Sequence, residues 1–306
     1  MMSDLKPEIC HSEQACVEQG RSIEEQKKVT ILVTGANGQL GLTIQKYKKE
    51  YENAVFIFCT SEELNITNEA SIAEVFKKHQ PDYCINCAAY TNVEKAEEEP
   101  GKAFLVNAEG VKKIAVACKE YQTTLIHIST DYVFDGEKGT PYTVTDKPNP
   151  INEYGKSKLK GEQCIQELLT AYFIIRTSWL YSKEFGKNFY KTIVEKAKEG
   201  QEIRVVDNQI GCPTDTENLV KYILMLIENS KKQIGFQQSI NTPPLEGTGE
   251  DINTLYGIKH YCDTEILSWF DFAKKIVKQN EIEEVEVVCD NSYITKAKRP
   301  KYSVLL

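Results

Sequence analysis

The chain has 306 residues, 41% hydrophobic and 27% charged, with a formal net charge of −8. That length can bury a large core and accommodates a nucleotide-binding domain with a smaller companion. The acidic balance lacks the basic face that a nucleic-acid surface requires, and no apolar run approaches a membrane span, which leaves small-molecule chemistry in a soluble protein.

Residues 1–28 are polar, carry charges of both signs and lack the apolar stretch of a signal peptide, so they read as a mobile extension. Residues 29–33 are a β-branched apolar run too short for a helix, suited to a strand buried on both faces of a parallel sheet. Gly35, Gly38 and Gly41 follow at intervals of three, while the apolar spacing shifts to a helical period through Leu40, Ile44 and Tyr47. Strand, glycine turn and helix in that order make an anion cradle. The turn lets phosphates approach without a Cβ in the way, and the helix aims free N–H groups at the same gap.

Residues 54–59 read as a second strand, 69–78 as a helix with Ile72, Val75 and Phe76 on one face, and 82–88 as a third strand. A long helix over 101–121 precedes a fourth strand at 124–129. Such alternation builds right-handed crossovers and therefore an α/β fold with a doubly wound, Rossmann-like parallel sheet, whose ligands lie beyond the carboxyl ends of the strands. Cys84 and Cys87, three apart on a strand, point to opposite faces and read as core thiols. His11, His79, His127 and His260 show no ligand spacing, so no metal site is expected. Ten cysteines scattered through strands and helices, without a secretory leader, fit reduced thiols in a cytoplasm.

A helix from about residue 151 carries Tyr154 and Lys158 four apart on one face. Residues 172–176 form a strand, 188–198 a helix, 202–206 a short strand and 218–228 an apolar helix. Residues 231–255 lose periodicity and gather Pro243, Pro244, Gly247 and Gly249, which marks a loop insertion. Strand, helix and strand resume at 257–262, 267–278 and 285–289. The expected division is a dinucleotide-binding domain at 29–178 carrying Tyr154 and Lys158, and a smaller, mainly substrate-binding α/β part at 179–306. Residues 215–230 are expected to pack back on the first domain.

Thr130, at the end of the fourth strand, completes a set with Tyr154 and Lys158 that can reduce a carbonyl. A phenol, ordinarily near pKa 10, donates a proton to the developing alkoxide, an ammonium one helical turn away lowers that pKa, and the threonine hydroxyl holds the carbonyl oxygen. Tyr-x-x-x-Lys alone is an ordinary helix-surface pair. Its position after a glycine turn and a strand ending in Ser-Thr gives it the catalytic reading.

Longer segments carry a resemblance. Val-Thr-Gly-Ala-Asn-Gly-Gln-Leu-Gly (33–41), Asn-Cys-Ala-Ala-Tyr-Thr-Asn-Val-Glu-Lys-Ala-Glu (86–97), Val-Asn-Ala-Glu-Gly (106–110), Ile-Ser-Thr-Asp-Tyr-Val-Phe-Asp-Gly (128–136) and Asn-Glu-Tyr-Gly-Lys-Ser-Lys (152–158) come first. Arg-Thr-Ser-Trp-Leu-Tyr (176–181), Asn-Phe-Tyr-Lys-Thr (188–192), Gln-Ile-Gly-Cys-Pro-Thr (209–214) and Arg-Pro-Lys-Tyr-Ser (299–303) follow. Together they resemble the dTDP-4-dehydrorhamnose reductase family of the extended short-chain dehydrogenase/reductases, over residues 29 to about 230 and 256–306. Ser-Thr-Asp-Tyr-Val-Phe joined to Arg-Thr-Ser-Trp separates that group from the sugar-nucleotide epimerases and dehydratases.

The resemblance implies hydride transfer from NADPH or NADH to the 4-keto carbon of dTDP-4-dehydro-6-deoxy-L-mannose, giving dTDP-L-rhamnose. Tyr154 becomes the proton donor, Lys158 its tuner and ribose contact, and Thr130 the group that orients the carbonyl. Gly35, Asn37, Gly38, Gln39, Leu40, Asn65, Ile66, Ala88, Ala89, Tyr90 and Asn107 are implied at the cofactor. Asp131, Tyr132, Trp179 and Gln209 are implied at the sugar, with Asn188 and Arg299 near the nucleotide part of the substrate. Asn65 stands where the family usually has Asp, and its amide oxygen is expected to accept from an adenine amino group. The second strand ends Cys59-Thr60-Ser61-Glu62, without the features that separate the two coenzymes, so preference is open. The chain ends at Leu306, where family members continue into a final helix, and an effect on stability or substrate closure is expected. The expected partner is a sugar nucleotide bound by a monomer or homodimer, with no nucleic acid and no membrane. A non-catalytic subunit like the regulatory subunit of methionine adenosyltransferase, and an epimerase or dehydratase on the same fold, remain alternatives.

Overall fold

The computed structural model describes residues 28–240, 255–282 and 285–306. The expected extension, apart from Lys28, and residues 241–254 of the expected insertion lie outside them.

Six parallel strands form the central sheet: β1 (Val29–Thr34), β2 (Ala54–Cys59), β3 (Tyr83–Asn86), β4 (Thr124–Thr130), β5 (Tyr172–Thr177) and β10 (Gly257–His260). Their spatial order is β2-β1-β3-β4-β5-β10. Ile31, Leu32, Val33, Cys84, Ile85, Leu125 and Ile126 are wholly buried, as strands covered on both faces must be. The winding reverses between β1 and β3, so the chain diverges at their carboxyl ends and leaves a crevice there.

Two layers cover the sheet. On one face α1 (Gln39–Tyr47) and α8 (Thr216–Ile240) bring Leu40, Ile44, Leu219, Val220 and Ile223 against Ile31, Val33 and Phe173. On the other, α2 (Glu69–His79), α5 (Val111–Glu120) and α6 (Glu153–Leu168) bring Ile72, Phe76, Ile114 and Ile165 against Leu32, Leu125 and Ile174. Cys84 packs into the second of these cores and Cys87 against the first, so the pair does face opposite ways. The eight cysteines among the described residues are free thiols. Short helices α3 (Val93–Glu98) and α4 (Pro100–Phe104) lead into a π-helical turn, Leu105–Gly110, and then α5, which breaks the expected helix over 101–121 in its middle.

A second, smaller core forms between α7 (Phe189–Lys198) and α9 (Trp269–Gln279), with β7 (Ile203–Val205) and β12 (Val287–Cys289) paired in parallel beside them. β6 (Leu180–Tyr181) pairs with β9 (Thr214–Asp215), and β8 (Ile210–Gly211) with β11 (Leu267–Ser268). Strand 257–260 extends the main sheet beside β5. One expectation is corrected. Helix α8 runs to Ile240, so residues 231–240 are not loop: Lys231, Lys232, Gln233, Gln237 and Gln238 suit a helix, and the first proline comes only at Pro243.

Helix α6 is pinned to the sheet by a buried ion pair. The carboxylate of Glu162 accepts from Arg176 Nη2 at 2.7 Å, from Arg176 Nε at 3.1 and 3.2 Å, and from Ser129 Oγ at 2.5 Å. Glu162 is wholly buried and Arg176 only 1% exposed, its guanidinium lying 5.1 Å from the Phe134 ring. Removing one partner strands the other charge in the interior. Glu162→Ala should therefore lower unfolding free energy by about 3–5 kcal/mol in urea titrations; a loss below about 1 kcal/mol would show that water reaches the guanidinium.

Candidate active site

At the head of β1 the chain turns through Gly35 at φ +63°, where a Cβ would sit 2.7 Å from Ala88 N. Only glycine allows both the left-handed turn and the approach of the β3 end. Helix α1 starts after Gly38, which makes no side-chain cap, whereas α2, α3, α6, α7 and α9 are capped by Asn68, Asn92, Asn152, Asn188 and Ser268. The first N–H groups of α1 thus open toward exposed Asn37 and Gly38, a cradle suited to pyrophosphate. Leu40 and Ile66 are implied at this site only through backbone, because both side chains are buried in the cores.

Asn65 Oδ1 accepts from Thr67 N at 3.0 Å and Thr67 Oγ1 at 2.8 Å, which fixes the turn after β2 and holds the side chain in place. Asn188 is likewise occupied: Oδ1 caps α7 through Lys191 N, and Nδ2 donates to Ser182 O, Phe185 O and Gln39 Oε1. Gln39 Nε2 in turn donates to Leu180 O at 3.1 Å. Gln39 and Asn188 together tie the cradle to the second core.

Asn107, wholly buried in the π-helical turn, clamps the Tyr90 backbone from both sides, accepting from its N–H at 2.8 Å and donating to its C=O at 2.9 Å. It also donates to Ser157 Oγ, which donates to Tyr154 O at 2.7 Å. Asn107 thus links the Ala88-Ala89-Tyr90 segment, half-buried beside the cradle, to helix α6. The Tyr90 phenol donates to Glu99 Oε1, which pushes its pKa up to about 12.

The chemistry-bearing corner lies where β4 ends. Tyr154 is half-buried, and its ring meets Tyr132 edge-on at 5.8 Å, next to Thr130. Burial raises the Tyr154 pKa well above a free phenol, the Thr130 contact opposing it and the Asp131 and Tyr132 charges adding to it. Asp131 is 2% exposed, accepts from Thr130 Oγ1 at 3.0 Å, and leaves Oδ2 without a partner. Burial pushes its carboxyl up to about 6, against the Ser303 and Thr130 hydrogen bonds. Asn152 caps α6 through Gly155 N and reaches Lys298 O at 2.8 Å.

Lys158 is placed differently from the expectation. It is 1% exposed, and its Nζ donates to Ile128 O at 2.6 Å and lies 3.2 Å from His127 Nε2. Burial acts most on the Tyr154 phenol, followed by Thr130, Asp131 and Tyr132. A buried amine takes the nearest acceptors, and these lie on β4. Burial brings the Lys158 pKa down to about 8, with Glu162 and Cys87 opposing the change.

Trp179 holds a left-handed backbone at φ +48°, strained for a bulky residue. Its indole stacks on Trp269 with centroids 3.6 Å apart and planes 8° apart, and a Cβ on Gly211 would come within 2.6 Å of it. Gln209 is half-buried next to Ile210, whose N–H donates to Lys301 O, so it adjoins the Arg299 segment. Arg299 Nη2 donates to Glu94 at 2.7 Å and Nη1 to the Tyr132 hydroxyl at 3.3 Å, which sets it beside Tyr132 at the end of β4. Burial pushes the Tyr132 phenol up to about 12. Glu94, Ser157, Trp269 and His127 are parts of this site that the motifs did not single out. Among the described residues no cluster of His, Cys, Asp or Glu is placed to hold a metal ion, and no helix is long and apolar enough to cross a membrane.

A hydroxyl, a phenol and a buried lysine at the carboxyl edge of a doubly wound sheet, below an uncapped glycine turn, define an extended short-chain dehydrogenase/reductase. The profile of the RmlD substrate binding domain family matches residues 29–306. The chain is 37% identical over 276 residues to the spore coat polysaccharide biosynthesis protein SpsK of Bacillus subtilis, covering 90% of this chain and 88% of that one. It is 36% identical to a dTDP-4-dehydrorhamnose reductase of Aggregatibacter actinomycetemcomitans, covering 90% of each. A crystal structure of dTDP-4-dehydrorhamnose reductase from Bacillus anthracis in complex with NADP superposes with a TM-score of 0.80 at 39% identity, over 91% of this chain and 90% of that one. The chain belongs to the RmlD substrate binding domain family, the family of dTDP-4-dehydrorhamnose reductases expected from its motifs.

The folded chain binds the Asp131 proton more tightly than the unfolded chain, whose carboxyl titrates near 3.8, against about 6 when folded. Folded protein therefore carries the extra proton between those values, and stability falls as pH rises through that window, by about 2–3 kcal/mol. Asp131→Asn should lack this decline. Urea unfolding of both proteins at about pH 4 and 7 checks it; equal pH slopes would remove the assignment.

Proposed function

We propose that this chain reduces the 4-keto group of dTDP-4-dehydro-6-deoxy-L-mannose to give dTDP-L-rhamnose, using NADPH or NADH. The observation that carries the reading is the Tyr154 ring packed edge-on against Tyr132 beside Thr130 at the end of β4, next to the glycine cradle. The names of the relatives and the NADP in the Bacillus anthracis protein support it.

The residues fit a dinucleotide. Gly35 leaves the space a Cβ would fill, and the uncapped N-terminus of α1 offers donors to phosphate oxygens. Gly35, Asn37, Gly38 and Gln39 would hold it, with Ala88, Ala89 and Tyr90 lining its channel. Bound NADPH or NADH supplies the hydride. Thr130 holds the carbonyl oxygen, and Tyr154 donates its proton to that oxygen as negative charge develops there. A developing alkoxide is a stronger base than phenolate, so a raised phenol pKa does not block the transfer. Asp131, Tyr132, Trp179, Gln209 and Arg299 bind the sugar nucleotide, and Asn188 acts through Gln39. Residues 29–178 serve the coenzyme and 179–306 mainly the substrate, in a monomer or homodimer in the cytoplasm. Both coenzymes are named because β2 ends in Cys59-Thr60-Ser61, without the acid or arginine that would separate them.

Purified chain given the keto-sugar nucleotide should oxidise one coenzyme per sugar reduced, and Tyr154→Phe should lose about 10²–10⁴-fold in kcat. Normal turnover in that variant sinks the proton-donor role. Product formation without net coenzyme consumption points instead to an epimerase or dehydratase.

A further inference from the structure

The segment that follows β12 leaves the second core and runs past the end of β4. Asn291 exchanges hydrogen bonds with Asp207 at its start, and Asn152 Nδ2 holds Lys298 O further on. Between these points the segment meets α3, where Lys296 Nζ reaches Glu98 and Glu94 gathers three more donors. Glu94 Oε2 accepts from Lys296 N at 2.9 Å and from Ala297 N at 3.4 Å, and Oε1 accepts from Arg299 Nη2 at 2.7 Å. Arg299 Nη1 donates in turn to the Tyr132 hydroxyl at 3.3 Å.

The direction of each bond follows from what its atoms can do. A guanidinium has no acceptor, so the Tyr132 oxygen must accept and its own hydrogen points elsewhere. Among the described residues nothing accepts that hydrogen, although Tyr132 is only 8% exposed. A tyrosine hydroxyl so buried ordinarily has a partner for its hydrogen. The Tyr132 ring stands edge-on to Tyr154 at 5.8 Å, beside the proposed carbonyl site, so the acceptor it lacks is one that a ligand would supply. Burial works to raise the Glu94 carboxyl, but Arg299 and the Ala297 and Lys296 N–H groups overcome it and hold the group below its ordinary range. Its charge therefore matches that of Arg299, which becomes a fixture on Tyr132 and not a loose cation for phosphate.

We propose that Glu94 is a positioning residue: it holds Arg299 against the Tyr132 oxygen, and so turns the Tyr132 hydroxyl hydrogen toward an acceptor oxygen of the sugar nucleotide. The ligand named here rests on the proposed function, whereas the clamp of Glu94, Arg299 and Tyr132 does not. Glu94 touches no reacting atom. Its effect falls on the affinity for the sugar nucleotide and not on hydride transfer.

The test is steady-state kinetics of the full chain with the keto-sugar nucleotide and NADPH. Glu94→Gln keeps an oxygen for the Lys296 and Ala297 N–H groups but withdraws the charge that holds Arg299. It should raise KM for the sugar nucleotide about three- to tenfold, the effect of losing one neutral hydrogen bond, with kcat changed less than about twofold. Tyr132→Phe should raise the same KM, and adding Glu94→Gln to it should raise it no further, because both remove the same bond. Effects that multiply in the double variant, an unmoved KM, or a KM lowered by an arginine freed for phosphate each overturn the proposal. Arginine ¹⁵N NMR of the ligand-free chain gives a second readout. Arg299, assigned by its absence in Arg299→Lys, should show separate Nη1 and Nη2 signals that merge in Glu94→Gln; one averaged signal in the wild type overturns the clamp, and if the variants do not fold that measurement decides. Failure of the wild-type chain to turn over the keto-sugar nucleotide would remove the proposed function and leave the arginine signals to decide the clamp.

Discussion

The approach of helix α6 to the end of β4 and to the π-helical turn governs the rest of the molecule. A Cβ on Gly155 would lie 2.1 Å from Tyr132 O, and one on Gly161 would lie 2.2 Å from Asn107 O, so the helix rests on backbone at both points. Neither neighbour is a flexible side chain that could yield. This seating turns the face bearing Tyr154 and Lys158 into the sheet, where Thr130 and His127 already stand. The Glu162–Arg176 pair fastens the same helix one turn further on. Close packing sets the position, and the ion pair makes departure costly.

That seating also explains why unusual electrostatics gather in one corner. Of the five buried side-chain polar atoms without partners among the described residues, Asp131 Oδ2, Arg176 Nη1 and Arg299 Nε belong to segments that meet the end of β4 or its neighbour β5, while Tyr51 Oη and His260 Nε2 are the other two. Such atoms cost stability unless a ligand or a structural need offsets them. The strained backbone of Trp179 adds a further cost beside the second core, stabilised by the stack with Trp269. A chain selected for stability alone would replace these groups, and three of them stand near one mouth.

How far the sequence was legible follows the range of each interaction. The cradle could be read because a left-handed turn and a helix start are local matters, written in Gly35, Gly38 and the period of Leu40 and Ile44. Tyr154 and Lys158 could be paired by helical spacing, but spacing says nothing of where a side chain ends, and the amine turned to β4. Asn188 and Asn65 read as ligand residues by motif, while in the structure their first obligations are to a cap and a turn. The Trp179–Trp269 stack joins residues 90 positions apart, and the contact of Lys158 with His127 joins a helix to a strand, with no periodicity to announce either. His127 looked inert for that reason: a lone histidine in a strand carries no local signal. The π-helical turn was hidden inside a helix pattern that remained correct on either side.

Desolvation is what gives this corner a direction. It favours the uncharged form of every group it touches, so it keeps the proton on Tyr154 and weakens the hold of Lys158 on its own. In the proposed reduction, a phenol in that state is loaded before substrate arrives. The phenolate left after the proton has passed to the product oxygen would be disfavoured by the same burial that favoured the phenol, with the Asp131 and Tyr132 sides adding repulsion. The unstable member of the pair is therefore the spent form, and the site returns to its loaded state by taking up a proton.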